Sequence, residues 1–420
     1  MSAEPAGNTL LSRDYALAQV GIVVAIVASG PTSDVAQLGL LLWALRGPAA
    51  AIQSLSLFVV VRGFNPSLAA HGSLGSTLAW ALPMVVSARL LPLASAQCFR
   101  WLIPLWGFCV VAALCSVLSS PALAVSLMKV TTLALVATGV LVGCLRLTST
   151  ETVRLGTWLW TLAAVVATLS IALLVRPGIA HLPNSTLLNG ILNQSQALGS
   201  FMAPFAAAAL VQWLLARRTA TPMRLAVWGI VLACTLLTLS RTAAIASILG
   251  LAFAVMAGAS GNRRSSSADI ARVIGIVIAL AFGLLVLELA TGNVLHGLSS
   301  FALKGGSGSL EDAFQASRGG LVTTQWHNFL ASPLFGNGFG VFADGEFPNG
   351  IRLFMGIPVS APVEKGVLPT AVLEETGLLG FAAFAWLVYT LVAGVWRRAP
   401  HAVVAMLIAC LFVNLGEAIL

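Results

Sequence analysis

Two arginines and a glutamate stand where an otherwise apolar chain has least reason to keep charge. Arg241 lies in Thr238-Leu239-Ser240-Arg241-Thr242, between two apolar runs. Arg318 lies in Ala316-Ser317-Arg318-Gly319-Gly320, and Glu364 in Pro362-Val363-Glu364-Lys365-Gly366, just before a further apolar run. A guanidinium presents a planar fork of donors that suits a phosphate or carboxylate. A serine beside it and a helix N-terminus nearby add more donors. Arg241 with Ser240 therefore reads as an anion-binding pair. The structural alternative is an arginine that marks a turn and reaches to the membrane interface. Glu364 sits at a loop–helix junction, where a general base could meet a polar substrate, and Lys365 would tend to keep it ionised. The alternative for Glu364 is a carboxylate that simply interacts with a helix dipole.

Other polar groups widen the set. Glu374 and Glu375 fall inside an apolar stretch, in Leu373-Glu374-Glu375-Thr376-Gly377-Leu378-Leu379-Gly380. Carboxylates at membrane depth are candidate functional groups and call for a cationic partner. Trp326-His327-Asn328 and Arg352 belong to the same polar interval as Arg318 and are candidate substrate contacts, with His327 next in line after Glu364 as base. Asn184 to Thr186 and Asn193-Gln194-Ser195-Gln196 form an amide-rich stretch that suits hydrogen bonding to a polar ligand or helix capping. Pro333-Leu334-Phe335-Gly336-Asn337-Gly338-Phe339-Gly340 reads as a tight turn. It has no Lys-Ser/Thr and no strand–helix context, so it is not a phosphate loop. Asn414 and Glu417 read as a polar pair inside the helix bundle.

The elements that must hold these residues are membrane helices. Hydrophobic residues make up 58% of the chain, charged residues 9%, and the mean hydropathy is +0.96. A soluble domain carries about 25% charged residues, so that class is excluded. The net charge of +8 comes from arginines placed singly or in pairs between apolar stretches, a topology pattern rather than a nucleic-acid footprint. Cys98, Cys109, Cys115, Cys144, Cys234 and Cys410 lie in or beside apolar stretches without a CxxC pair, and read as small buried residues. No cleavable signal peptide is expected, because the first apolar run flows into the second without a cleavage site.

A bilayer-crossing helix needs about 20 apolar residues. The intervals 76–97, 101–119, 121–143, 155–175, 195–216, 225–240, 242–258, 271–291, 367–395 and 400–418 qualify. The intervals 15–30, 33–46 and 48–62 are shorter, with breaks at Gly30-Pro31 and Gly47-Pro48. They read as three short spans, or as one span and one broken helix. The expectation is an all-α polytopic protein with about 12–13 transmembrane helices. It divides into helices over 1–291, one long polar loop over 292–366 and two C-terminal helices over 367–420, all in one membrane domain. With a cytoplasmic N-terminus, the inner helix ends collect Arg217-Arg218, Arg263-Arg264 and Arg397-Arg398 besides most single arginines. Only Arg62, Arg176 and Arg241 fall at outer ends, so the long loop is expected outside. An amphipathic helix from Arg318 through Trp326 is expected on that outer surface.

The order of these features resembles the O-antigen ligase and polymerase superfamily of bacterial inner-membrane proteins. The resembling features are Leu239-Ser240-Arg241 at a tight outer junction, a long external loop with Arg318 and the Gly336–Gly340 run, and a helix opening into Glu375-Thr376-Gly377-Leu378-Leu379-Gly380. The resemblance covers about residues 180–420. It implies glycan transfer on the periplasmic face of the inner membrane, with no metal or other cofactor. The donor would be an undecaprenyl-diphosphate-linked glycan and the acceptor a glycan or lipid-linked hydroxyl. Partners would be membrane lipids and other polysaccharide-assembly proteins, not nucleic acid. Arg241 and Arg318 would hold the diphosphate and stabilise its growing charge. One departure is visible. Ligases of the family carry a His-Asn type motif before the last helices, whereas this chain reads Glu364-Lys365-Gly366-Val367 there. Glu364 is the base expected in its place, and a polymerase or transferase of exopolysaccharide or O-antigen type is favoured over a lipid A-core ligase. The competing readings are a multi-span transporter for a small anion or glycan intermediate, and a non-catalytic partner in polysaccharide export. Against transport, no repeated halves or matched broken helices are visible.

Overall fold

The computed structural model describes residues 11–69, 75–181, 187–216, 220–260, 319–345, 352–354, 357–360 and 365–416. The chain is a helical membrane protein. The prolines near the N-terminus begin helices rather than bend one. α1 (Arg13–Ala28) ends at Ser29, whose side chain also caps α2 (Gly30–Ala44) by accepting from the Thr32 amide. Pro31 and Pro48 sit in the first turns of α2 and α3 (Pro48–Arg62), where a missing N–H leaves no bond unmade. The short intervals of the sequence are therefore three separate helices.

Helices α4 (Gly75–Leu90), α5 (Ala96–Ser119), α6 (Leu123–Arg146) and α7 (Ser149–Ala172) follow, then the single turn α8 (Pro177–Ala180). α7 opens on a capping box: the Thr148 hydroxyl accepts from the Glu151 amide at 3.2 Å, and Glu151 accepts from the Thr148 amide at 2.9 Å. Next come α9 (Ser195–Ala216), α10 (Pro222–Leu237), α11 (Arg241–Ser260) and α12 (Gly320–Ala331). A short antiparallel hairpin of β1 (Arg352–Phe354) and β2 (Ile357–Ser360) precedes α13 (Leu368–Arg398) and α14 (His401–Gly416). The hairpin is the departure from an all-helical chain. Among the described residues, five segments are long and apolar enough to cross a membrane: Ala96–Ser119, Leu123–Arg146, Ser149–Val175, Ser195–Leu215 and Leu368–Trp396. The expected span over 271–291 lies outside the described residues.

The chain forms two compact units. The first holds Met1–Leu198, Ala331–Val363 and Val372–Thr390; the second holds Gly199–Leu330, Glu364–Ala371 and Leu391–Leu420. The first unit is centred on Trp158 of α7, which meets Tyr15 of α1 edge-on at 5.3 Å and stacks on Trp43 of α2 at 6.1 Å. In the second unit, α11 lies along α14 over small residues: Ala243, Ala246 and Ala254 face Ala405 and Ala409, with Ala203 and Ala207 of α9 beside them. Lipid is as apolar as leucine, so membrane helices associate through close packing of small side chains. Gly250 marks the closest approach. A Cβ there would lie 2.6 Å from the Ala405 carbonyl oxygen and 3.0 Å from the Ala207 Cβ.

Gly250→Leu should therefore force α11 from α14 and lower stability by about 2–3 kcal/mol. Gly229→Leu, at a position with open space around it, should leave stability unchanged. Thermal unfolding of the two variants in detergent checks the contrast.

Candidate functional site

The break in α13 begins with a dihedral angle. Gly377 of α13 has φ +61° and ψ −164°, a region open to glycine and closed to other residues. It stops the helical ladder where Leu378 and Leu379 would have bonded the carbonyls of Glu374 and Glu375. The segment after α12 takes over both sides of that break. The carbonyls of Pro333 and Leu334 accept from the amides of Leu378 (2.9 Å) and Leu379 (3.4 Å). The amides of Asn337 and Gly338 donate to the carbonyls of Glu374 (2.8 Å) and Glu375 (2.9 Å). Each backbone group freed by the break is thus paired again, as a low-dielectric setting demands. The fit leaves no room for side chains. A Cβ on Gly336 would lie 2.4 Å from the Glu375 carbonyl carbon, and one on Gly377 would lie 2.4 Å from the Leu334 carbonyl.

The same segment is fastened further along. Phe339 donates its amide to the Ser116 hydroxyl at 2.9 Å and sets its ring edge-on to Phe108 at 6.1 Å. Lys129 of α6 donates to the Gly340 carbonyl, and Val341 is buried against Val125. The Gly336–Gly340 run is a tight turn with positive φ at Gly336, Gly338 and Gly340, as its composition indicates. Glu374, Glu375 and Thr376 are 2%, 6% and 0% exposed. Glu375, a candidate substrate contact, is thus enclosed in the wall of this junction.

Arg241 and Ser240 lie in the second unit. Leu239 holds φ +49°, the one non-glycine residue among those described with a positive value. This left-handed residue makes the α10–α11 corner tight enough that Arg241 is the first residue of α11. Thr238 donates its hydroxyl to the Thr235 carbonyl (2.7 Å) and accepts from the Ser240 amide (3.3 Å). Ser240 is buried and caps the helix, its hydroxyl oxygen accepting from the Ala243 amide at 3.4 Å. That bond uses a lone pair and leaves the hydroxyl hydrogen to donate. Gly199 of α9 packs against the corner, where an added Cβ would meet the Ser240 Cβ at 2.6 Å. Arg241 is partly buried.

α12 carries His327 on an exposed face and Gln325 on a buried one. α12 is described from Gly320 onward, and the expected start at Arg318 lies outside the described residues. The Gln325 amide nitrogen donates to the Lys365 carbonyl, and its oxygen accepts from the Thr370 hydroxyl. Gln325 thereby anchors the stretch that leads from Lys365 into α13. Lys365 is 7% exposed. Gln325 is legible in the sequence only as a polar residue two places from His327.

Asn193 is exposed in the first unit, where its amide donates to the Gly63 carbonyl at 2.8 Å. Arg352 has its backbone in β1, opposite Ser360. Arg318 and Glu364 lie outside the described residues, as do His296 and Glu417. The structure therefore joins Arg241 to Ser240, and sets His327 on the helix that anchors Lys365. Asn193 and Glu375 belong to the other unit. Asn189 was missed. It is 1% exposed, and neither polar atom of its side chain has a protein hydrogen-bond partner. A lone amide inside Leu187-Leu188-Asn189-Gly190-Ile191-Leu192 was the available signal. A scan against protein-family models finds no match for the chain, and a search of curated proteins finds no significant similarity.

Gly377→Ala should combine a forbidden dihedral with a backbone clash and cost about 2–4 kcal/mol. Gly21→Ala, in open space on α1, should be neutral or slightly stabilising. Chemical or thermal denaturation in detergent should separate them.

Proposed function

We propose that the protein is a membrane glycosyltransferase that polymerises or ligates an undecaprenyl-diphosphate-linked glycan of exopolysaccharide or O-antigen type. The observation that carries this reading is the Arg241 corner. A guanidinium at the first position of α11 stands at the positive end of the helix dipole, where a cation is disfavoured by about 0.3–1 kcal/mol. The residue before its cap, Leu239, is held in a conformation that costs on the order of 1–3 kcal/mol. Two unfavourable choices at one corner suit a site that meets an anion, and a diphosphate is an anion that a guanidinium at a helix N-terminus would hold.

In this reading the acceptor hydroxyl oxygen attacks the anomeric carbon of the donor. The bond from that carbon to the diphosphate oxygen breaks, and the diphosphate leaves with the electron pair. Glu364 takes the hydroxyl proton. Arg241 and Arg318 stabilise the charge that grows on the leaving group. Ser240 and His327, which lie in the same unit as Arg241, are the further substrate contacts under this proposal. The enzyme would sit in a bacterial inner membrane with its active face in the periplasm.

Arg241→Ala and Arg318→Ala should each lower glycan transfer by about 100-fold or more while leaving membrane insertion intact, and lysine should restore only part. Full activity in both alanine variants would overturn the diphosphate clamp. Glu364→Gln should lower kcat by about 100-fold with little change in KM for the donor. In a deletion strain, loss of long chains with accumulation of lipid-linked single repeats would identify a polymerase. Full-length lipid-linked chains that fail to reach their acceptor would identify a ligase. An unchanged glycan profile would sink the reading in favour of transport.

A further inference from the structure

α12 shows three faces, each marked by a pair of residues four apart and so stacked on one side of the helix. Gln325 and Phe329 are buried. Trp326 and Leu330 are 48% and 56% exposed. Thr323 and His327 are exposed as well. At about 100° per residue, the pairs follow one another round the helix in that order. A buried stripe is succeeded by an exposed apolar stripe, and that by an exposed polar one. Leu321, in the first turn, lies across the buried stripe and belongs to neither exposed pair. A helix on the surface of a soluble protein needs two faces, apolar to the core and polar to water. A second apolar stripe, turned away from the protein, asks for a second apolar surrounding.

The level at which α12 lies is set by its bonds. The Gln325 amide nitrogen donates to the Lys365 carbonyl, and its oxygen accepts from the Thr370 hydroxyl. The same Lys365 carbonyl accepts from the Val367 amide at 2.9 Å across Gly366, whose φ is +70°. This three-residue turn needs glycine at its centre and leaves the attachment point little freedom. Gln325, Lys365 and Thr370 all belong to the second unit. They bracket the first residues of Leu368–Trp396, a segment long and apolar enough to cross a membrane. Its 29 residues, at about 1.5 Å each, match a bilayer of about 40–45 Å with its headgroup regions. Its first turn therefore stands at headgroup level, and α12 is fastened there.

We propose that α12 is an interfacial helix whose partner is the bilayer that the protein crosses. Trp326 and Leu330 lie in the boundary between lipid headgroups and acyl chains. Thr323 and His327 face the water, and Gln325 fixes the rotation that keeps the two stripes apart. A tryptophan ring, apolar with one polar edge, suits that boundary. The ring is held along the flank of the helix, with its centroid 5.2 Å from that of Phe329. α12 carries no Lys, Arg, Asp or Glu, so the contact rests on apolar area and the tether rather than on anionic lipid. The inference stands on the membrane character of the chain and does not rest on glycan transfer.

The test uses the full chain in phosphatidylcholine nanodiscs, with its tryptophans replaced by fluorotryptophan. The fluorine resonance missing from Trp326→Phe is that of Trp326. A nitroxide carried near the lipid headgroup should broaden it about threefold more than a nitroxide at the chain end or a water-soluble gadolinium chelate. Strongest broadening by the chelate, or by the chain-end nitroxide, would overturn the proposal. So would a resonance that none of the three reaches, since protein would then cover the ring. Gln325→Leu should bring the effects of headgroup nitroxide and chelate to within about twofold of each other. An unchanged ratio would overturn the part assigned to Gln325. Should Trp326→Phe fail to fold, Thr323→Cys and Leu330→Cys decide, reacted with a membrane-impermeant maleimide and corrected for the unmodified protein. Thr323→Cys should label about tenfold faster, because only a thiol that meets water reacts. Equal rates would overturn the proposal.

Discussion

A backbone that leaves the helical ladder inside a membrane protein must find its hydrogen bonds elsewhere, and the first unit is arranged around one such exchange. Four bonds replace the two that Gly377 breaks. Two carbonyls, of Pro333 and Leu334, serve the amides of the second half of α13. Two amides, of Asn337 and Gly338, serve the carbonyls of the first half. An unmet backbone group in an apolar setting costs several kcal/mol, so neither partner is stable in this form without the other. The glycines follow from this. Gly336 and Gly377 each occupy the space the other strand's backbone needs, and the contacts of Phe339 with Ser116 and of Lys129 with the Gly340 carbonyl hold the inserted segment in register.

The polar residues of the described structure serve this kind of accounting in two ways. Thr376, Thr238 and Thr235 turn their hydroxyls onto carbonyls of their own helices or turns. They satisfy themselves locally and add little specificity. Gln325 reaches from α12 to Lys365 and Thr370, across a long stretch of sequence. Bonds of this second type fix which segments lie together, because each wrong arrangement would strand a buried amide.

Much of this architecture was legible in the sequence where the physics is local. Apolar runs placed the helices, and the Gly-Pro pairs at 30–31 and 47–48 marked their starts. The Gly336–Gly340 run was legible as a turn. Its partner was not. The bonds between residues 333–338 and 374–379 join segments some forty positions apart, and no periodicity in either one points to the other. Glu375 invited a functional reading because a carboxylate in an apolar run is costly. Its carbonyl turned out to be part of the repaired ladder.

Leu239 separates structural necessity from chemistry. At Gly336 and Gly377 a positive φ is carried by glycine, so the backbone is unusual and the cost is small. At Leu239 the same region is carried by a branched side chain, about half exposed, in a corner where glycine would relieve the strain. Packing does not require it, since Gly199 already makes room for the corner from the other side. The Ser240 cap and the Thr238 hydroxyl hold the turn in place. Such strain persists only where the surroundings over-determine the backbone. What the strained corner secures is the placement of Arg241 at the mouth of α11 rather than one turn further in. At this corner the sequence departs from its local rules, and such departures are where a functional group is sought.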